Sequence, residues 1–283
     1  MSHSLATILT TPPLWLALLL SAAFALLSWQ ARWLTRSGAL STFVVGFIVF
    51  GLGGGKFTVP LLTFFLSSSL LSRVGRAHKA AAHARADKGA IRDAGQVWAN
   101  GGVAVAVVLL YTYAVRHWPA YQTRALLILY LAALATVNAD TWATEIGALS
   151  RRAPRLLTNW RPVAPGTSGA ITGLGVLAAL CAAVVIPLSA LGLWRLDAAE
   201  FIAVAWAGFL GSLMDSVLGA SVQAQYRDPA TGEFTERRET VGRQTVRVRG
   251  VPWINNDVVN FLASIGGVLC AWALLHFGAY PFV

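Results

Sequence analysis

Residues 125–147 read ALLILYLAALATVNADTWATEIG: an apolar run suited to lipid, Ala125 to Val137, ends in the polar stretch Asn138 to Gly147, which carries Asp140 and Glu145. An ionised carboxylate near the centre of a membrane helix costs roughly 2.5–3.5 kcal/mol on insertion scales. A chain that keeps two here either has a cation to hold, or has already reached water at a helix end where neither acid needs a partner. The pattern recurs further along the chain, and that favours the first reading.

Composition sets the class. Of 283 residues, 56% are hydrophobic and 12% charged, with eleven Trp and a mean hydropathy of +0.62; a soluble domain averages about 25% charged. These values imply an all-α, polytopic bundle forming a single integral membrane domain over 1–283. Cys181 and Cys270 both lie in apolar runs, which leaves neither a disulfide framework nor a cysteine metal site.

Apolar runs that approach or reach the roughly 20 residues a bilayer requires occur at 14–29, 39–52, 58–71, 98–115, 121–137, 170–194, 201–222 and 256–277. About eight spans follow. The second and third are short and joined by GLGGGK, Gly51 to Lys56, so they are expected to be tilted, bent or partly re-entrant. With the amino terminus external, 18 of the 22 Lys and Arg fall in loops on the cytoplasmic side and only Lys56, Arg116, Arg124 and Arg195 on the other. That asymmetry supports both span count and orientation, places the carboxyl terminus outside too, and makes the net charge of +10 a matter of topology rather than a nucleic-acid footprint. The basic residues follow the first span instead of preceding it, so that span reads as a retained helix, not a cleaved signal peptide.

With this topology five polar stretches converge on one face: RDAGQVWANGG (92–102), NADTWATEIG (138–147), PGTSGAITGLG (165–175), GSLMDSVLGASVQ (211–223) and WINNDVVNF (253–261). In the seventh span Gly208, Gly211, Asp215 and Gly219 share a helix face, so its one acid sits in a strip of small residues that lets a neighbour or ligand approach. In the eighth, Asn256, Asn260 and Gly267 share a face with Asp257 beside it; the amides there also suit helix capping. Gly166, Thr167, Ser168 and Gly169 open the sixth span and suggest a phosphate site at a helix amino terminus, although such residues are ordinary caps too. GLGGGK lacks the Ser or Thr and the strand-to-helix context of a nucleotide-binding loop and reads as a turn. The basic loop from Ser72 to Arg92 is expected to lie over anionic lipid, its inner residues Arg73, Lys88 and Arg92 being those a polyphosphate would use; His78 and His83 within it show no metal-ligand spacing. The polar segment 223–250 has a turn at Asp228-Pro229 with Gly232 and strand-like alternation at 244–249, giving one short cytoplasmic β-hairpin-like loop.

These motifs, in this order from about Phe64 to Phe261, resemble the integral membrane family that includes the phytyl-phosphate kinases of plants and cyanobacteria. The resemblance implies conversion of a prenyl monophosphate, such as phytyl or geranylgeranyl phosphate, to its diphosphate, with a nucleoside triphosphate, CTP foremost, as donor. Phosphoryl transfer needs positioning and charge neutralisation, and Asp140, Asp215, Glu145 and Asp257 are the candidate catalytic and Mg²⁺-binding acids. The candidate nucleotide- and substrate-binding set is Arg73, Lys88, Arg92, Asp93, Gln96, Asn100, Asn138, Thr141, Gly166, Thr167, Ser168, Gly169, Ser216, Gln223, Asn255, Asn256 and Asn260. An acceptor phosphate with a second pKa of about 6 is largely a dianion at neutral pH and needs no general base. The site would face the cytoplasm of a bacterial inner membrane. Still open are a CTP-dependent lipid cytidylyltransferase or prenol kinase, a secondary transporter, a non-catalytic lipid-binding scaffold, and assembly into homo-oligomers.

Overall fold

The computed structural model describes residues 12–75, 88–89 and 91–277. Its helices are α1 (Leu14–Gln30), α2 (Arg36–Leu71), α3 (Ala94–His117), α4 (Ala120–Gly147), α5 (Gly173–Trp194), α6 (Ala198–Ser221) and α7 (Asn256–Phe277). Helices α2 to α7 are each long and apolar enough to cross a membrane, and α1 is a shorter apolar helix. The protein is a polytopic helical membrane protein. His78, His83 and most of the basic loop around them lie outside the described residues.

The second and third apolar runs are one element, α2, but not one straight rod. Thirty-six helical residues would stretch about 54 Å, yet Arg73, just past the end of α2, donates a hydrogen bond to the Ala31 carbonyl before its start and lies 5.1 Å over the Trp33 ring. The chain folds back at Gly54, whose φ of 71° and ψ of −172° belong to a region essentially reserved for glycine. Carbonyls loosened by the turn find side-chain donors. Pro60 cannot donate to the Lys56 carbonyl, which accepts instead from Trp194 Nε1 at 3.2 Å; Tyr130 Oη donates to Phe57 O at 2.6 Å and Thr58 Oγ1 to Gly54 O at 2.9 Å. GLGGGK is therefore a turn, as its sequence indicates.

Helix α4 is the axis of the bundle. Its apolar stretch is 72% buried against 33–44% for the other long helices, in keeping with apolar residues all round. Helix α6 packs closely on it through its glycine strip: Gly208 lies on Ala135, and Gly211 meets Thr136 and Gly267 of α7.

Between α4 and α5, strands β1 (Arg155–Leu156) and β2 (Ala170–Ile171) pair antiparallel. Between α6 and α7, β3 (Gln225–Arg227), β4 (Phe234–Thr235) and β7 (Val246–Arg249) form an antiparallel sheet in the order β4-β3-β7, while β5 (Glu239–Thr240) pairs with β6 (Arg243–Gln244). The single hairpin expected there is thus a small sheet plus a hairpin. It is anchored to the bundle by Arg249 Nη2, which donates to Gly219 O at 3.0 Å, and by Val251 N, which donates to Val222 O at 2.9 Å.

Candidate functional site

The close approach of α4 and α6 sets Asp140 and Asp215 face to face, within hydrogen-bonding reach of each other. Asp140 stands seven residues before the last residue of α4 and Asp215 six before that of α6, about 10 Å inside the helix ends at 1.5 Å per residue. From α7, Asn260 completes the cluster. In one orientation its amide meets Asn100 Oδ1 of α3 at 3.3 Å; turned over, it donates to Asp215 Oδ2 at 2.9 Å. Two facing carboxylates stay ionised together only with a cation between them, and otherwise share a proton.

Above this pair opens a cavity of about 320 Å³ that draws on all five polar stretches. It is lined by Lys88, Arg92, Gln96, Asn100, Asp140, Thr141, Glu145, Gly166 to Gly169, Asp215, Ser216, Gln223, Asn255, Asn256, Asp257 and Asn260, all anticipated from the sequence. Three anticipated residues are elsewhere. Asn138 is buried between helices, accepting from Ser67 Oγ at 3.1 Å and donating to Ala182 O at 2.9 Å, so it ties α2 and α5 to α4. Arg73 holds α1 to α2, as described above. Asp93 caps α3: its Oδ1 accepts from Gln96 N at 2.9 Å while Gln96 Oε1 accepts from Asp93 N at 3.2 Å, the reciprocal capping box.

The acids also divide. Among the described residues no three His, Cys, Asp or Glu gather closely enough to hold a metal together. Asp257 pairs with Lys88, which also reaches Asp93 Oδ2 at 2.8 Å. Burial alone would lower the Lys88 pKa, but the bonds and charges of Asp257 and Asp93 outweigh it and raise it above its ordinary value. Burial likewise works to raise that of Asp93, and Lys88 with the Gln96 N–H outweighs it, holding Asp93 below the usual carboxylate range. Glu145 stands near Arg92: burial pulls the Arg92 pKa down to about 10 and the Glu145 charge works against that pull, so Arg92 stays a cation at neutral pH.

The glycine-rich turn lines the cavity without being a helix amino terminus. Helix α5 starts only at Gly173, after β2, and its first turn is satisfied by Thr172, whose Oγ1 accepts from Gly175 N at 3.0 Å. Gly166 and Gly169 have φ of 83° and 75°, and Gly169 is pressed on the last turns of α6 near Gly219, where a Cβ on Gly219 would come within 2.9 Å of Gly169 N. The turn is a wall, and the start of α5, at Thr172, Gly175 and Val176, also lines the cavity.

The profile of the integral membrane family DUF92 matches residues 19–268. The chain belongs to the DUF92 family. Protein PGR of Arabidopsis thaliana is 33% identical over 271 residues, covering 88% of this chain and 91% of its own. An uncharacterised membrane protein of Methanocaldococcus jannaschii is 32% identical over 90% of this chain and 92% of its own. The chloroplastic protein VTE6 of Arabidopsis thaliana is 22% identical over 83% of this chain and 64% of its own. No solved structure matches the chain.

In this DUF92 chain the cavity also uses residues that the sequence reading passed over. Thr144 lies one helical turn beyond Asp140 on the same face of α4, a spacing that would have revealed it. Arg152 lines the wall after α4. Glu236, from the connection after β4, accepts from Ser168 Oγ and, at 2.8 Å, from Gln223 Nε2, and its charge acts on Asp215. The small sheet therefore supplies part of the site and does more than cover it. No local pattern marks Glu236, because its approach depends on how the sheet is seated.

Proposed function

We propose that this chain is a prenyl-phosphate kinase, transferring the γ-phosphoryl group of a nucleoside triphosphate, CTP foremost, to a prenyl monophosphate. The observation that carries the reading is the facing pair Asp140–Asp215 at the floor of a polar cavity whose rim holds Arg92 and Lys88. The resemblance of the motifs to phytyl-phosphate kinases supports it independently.

The donor set suits Mg²⁺, which takes oxygen ligands, uses one or two carboxylates and keeps several waters: Asp140 and Asp215 offer facing carboxylates, with an amide from Asn260 or Asn100 beside them. Bound there, Mg²⁺ would neutralise phosphate charge. Asp257 then serves otherwise, setting Lys88 in place, and the charge of Glu145 favours the Arg92 cation. Arg92, charged and partly open to the cavity, attracts the acceptor phosphate. Asn256 supplies an amide to the polyphosphate, and Ser168, Thr167 and Ser216 would donate to it by turning their hydroxyls from Glu236, Ala164 O and Ser212 O. An oxygen of the acceptor dianion attacks the γ-phosphorus as its bond to the bridging β–γ oxygen breaks, leaving a prenyl diphosphate and CDP. No proton has to be removed from the acceptor, which is already largely a dianion at neutral pH.

The distribution of Lys and Arg supports a cavity facing the cytoplasm. The test uses purified protein in liposomes with Mg²⁺, γ-labelled CTP and prenyl monophosphates, alongside Asp140→Asn and Asp215→Asn. Label in a prenyl diphosphate, lost in both variants, supports the reading. A CDP-lipid with pyrophosphate would make the protein a cytidylyltransferase, a monophosphate formed from the alcohol would make it a prenol kinase, and no transfer from any donor would overturn the enzyme reading.

A further inference from the structure

A second cavity, about 490 Å³ and almost wholly apolar, runs between α1 and the two arms of α2, and it meets the polar cavity at Arg92, Gln96 and Asn100, which line both. Its walls include Phe24, Val45, Phe50, Leu61 and Phe65. From Thr42 to Phe50 along one wall is eight residues, or about 12 Å.

Arg92 stands where the two spaces join. Its main chain is fixed on both sides, N–H to Trp33 O and carbonyl to Thr35 N, each at 3.0 Å. Its guanidinium lies over the rings of Phe64 and Phe65 at 5.5 and 5.6 Å, and among the described residues it donates no side-chain hydrogen bond. Five donors in a fixed fork thus remain available beside a dry groove on one side and a polar cavity on the other. Only an amphiphile with an anionic head and an apolar chain satisfies both.

We propose that this groove holds the hydrocarbon chain of the lipid phosphate acceptor, its phosphate on Arg92 and its chain running between α1 and the arms of α2 toward the Gly54 turn. The assignment rests on the acceptor being a lipid phosphate, as in the proposed function. The depth encloses the first few isoprene units and lets the remainder of a longer chain emerge past α1 into the bilayer. Affinity therefore rises with chain length and then levels off.

The experiment uses the full chain in detergent micelles with farnesyl phosphate bearing a diazirine on its chain, adducts being mapped by mass spectrometry. Adducts are expected on α1 and α2, with Leu62→Trp, a bulkier side chain on the groove wall, raising the concentration needed for half-labelling about tenfold. Dimethylallyl phosphate, which carries the head but little chain, should compete equally well in both proteins, and Arg92→Gln should weaken both lipids. Adducts on the exposed face of α5, at Leu177 or Leu188, would overturn the assignment. So would unchanged labelling in Leu62→Trp, or displacement by phosphatidic acid as readily as by farnesyl phosphate. Groove labelling without phosphoryl transfer keeps the groove and refutes the kinase; transfer with labelling elsewhere does the reverse.

Discussion

Gly208→Ala tests whether close packing of α6 on α4 is what assembles the site. A Cβ at Gly208 would lie 2.5 Å from the Cβ of Ala135 and 2.9 Å from its carbonyl carbon, where carbon atoms prefer about 3.5–4.0 Å. The helices must part by about 1 Å at that level, and overpacking of this kind costs about 1–3 kcal/mol. Asp215 follows two helical turns later on the same face, so the displacement is felt where it meets Asp140; a misplacement of about 1 Å can cost about 10²-fold in rate. The assays are thermal unfolding in detergent and phosphoryl transfer. Ala135→Gly alone should cost about 0.5–1 kcal/mol through backbone freedom, yet combined with Gly208→Ala it removes the 2.5 Å contact and returns part of the missing space, the 2.9 Å approach to the residue 135 carbonyl carbon remaining. The double variant should therefore be more stable and more active than Gly208→Ala alone. Additive losses, or a Gly208→Ala protein with wild-type stability and rate, would refute the reasoning.

At the other end of the bundle Arg124 clasps Glu200 with two hydrogen bonds of 2.6 Å, and Glu200 is only 3% exposed. Arg124→Ala should cost about 3 kcal/mol, the low end for stranding a buried charge because Arg124 itself stays partly exposed, and it should lower the unfolding temperature without altering lipid-phosphate affinity. Arg73→Ala should loosen α1 in hydrogen exchange and leave nucleotide binding unchanged. The Lys88–Asp93–Asp257 latch has a defined pH window. Asp93, depressed below 3.8, gives stability that is present above 3.8 and lost as pH falls through its lower folded pKa; Lys88, raised above 10.5, gives stability present below 10.5 and lost as pH rises past its folded pKa. The difference in unfolding temperature between wild type and Lys88→Met should therefore be flat from pH 5 to pH 9 (about one unit inside both limits), and a steep change near neutrality would contradict it.

Much of this was legible because the decisive signals are local. The glycines of 51–55 announce the α2 turn, and the strip Gly208, Gly211, Asp215, Gly219 announces the face that meets α4. Errors arose where a motif was read as a unit. Asn138 and Asp140 are two residues apart, about 200° around a helix of 3.6 residues per turn, so they cannot both face the cavity; Asn138 went to the interhelical contacts and Asp140 to the site. Asp93 and Gln96 carry the D-x-x-Q spacing of a capping box and could have been read as one. The turn 166–169 has the composition of a helix cap, while the real cap, Thr172, lies beyond two strand residues that composition does not reveal. Glu236 was out of reach altogether.

The same geometry weighs on the transport alternative. Sixteen residues of α4 separate Asp140 from Arg124, about 24 Å of helix, and from Leu126 to Ala139 all but Leu129 are buried at 5% or less. The far end is filled by Phe57 packed on Tyr111, Tyr130 and Trp194 with ring centroids 4.8–5.0 Å apart. A transporter must open a second path through these rings, prising α2 and α3 from α4. A kinase needs no such state, since nucleotide and lipid head both enter from the Asp140 side. Ala133→Cys, 1% exposed midway along α4, separates the two: for a kinase it should resist a water-soluble maleimide with or without CTP, Mg²⁺ and farnesyl phosphate. Labelling that appears on adding substrate would mean that water reaches the axis of the bundle, and the carboxylate pair would then belong to a transport pathway.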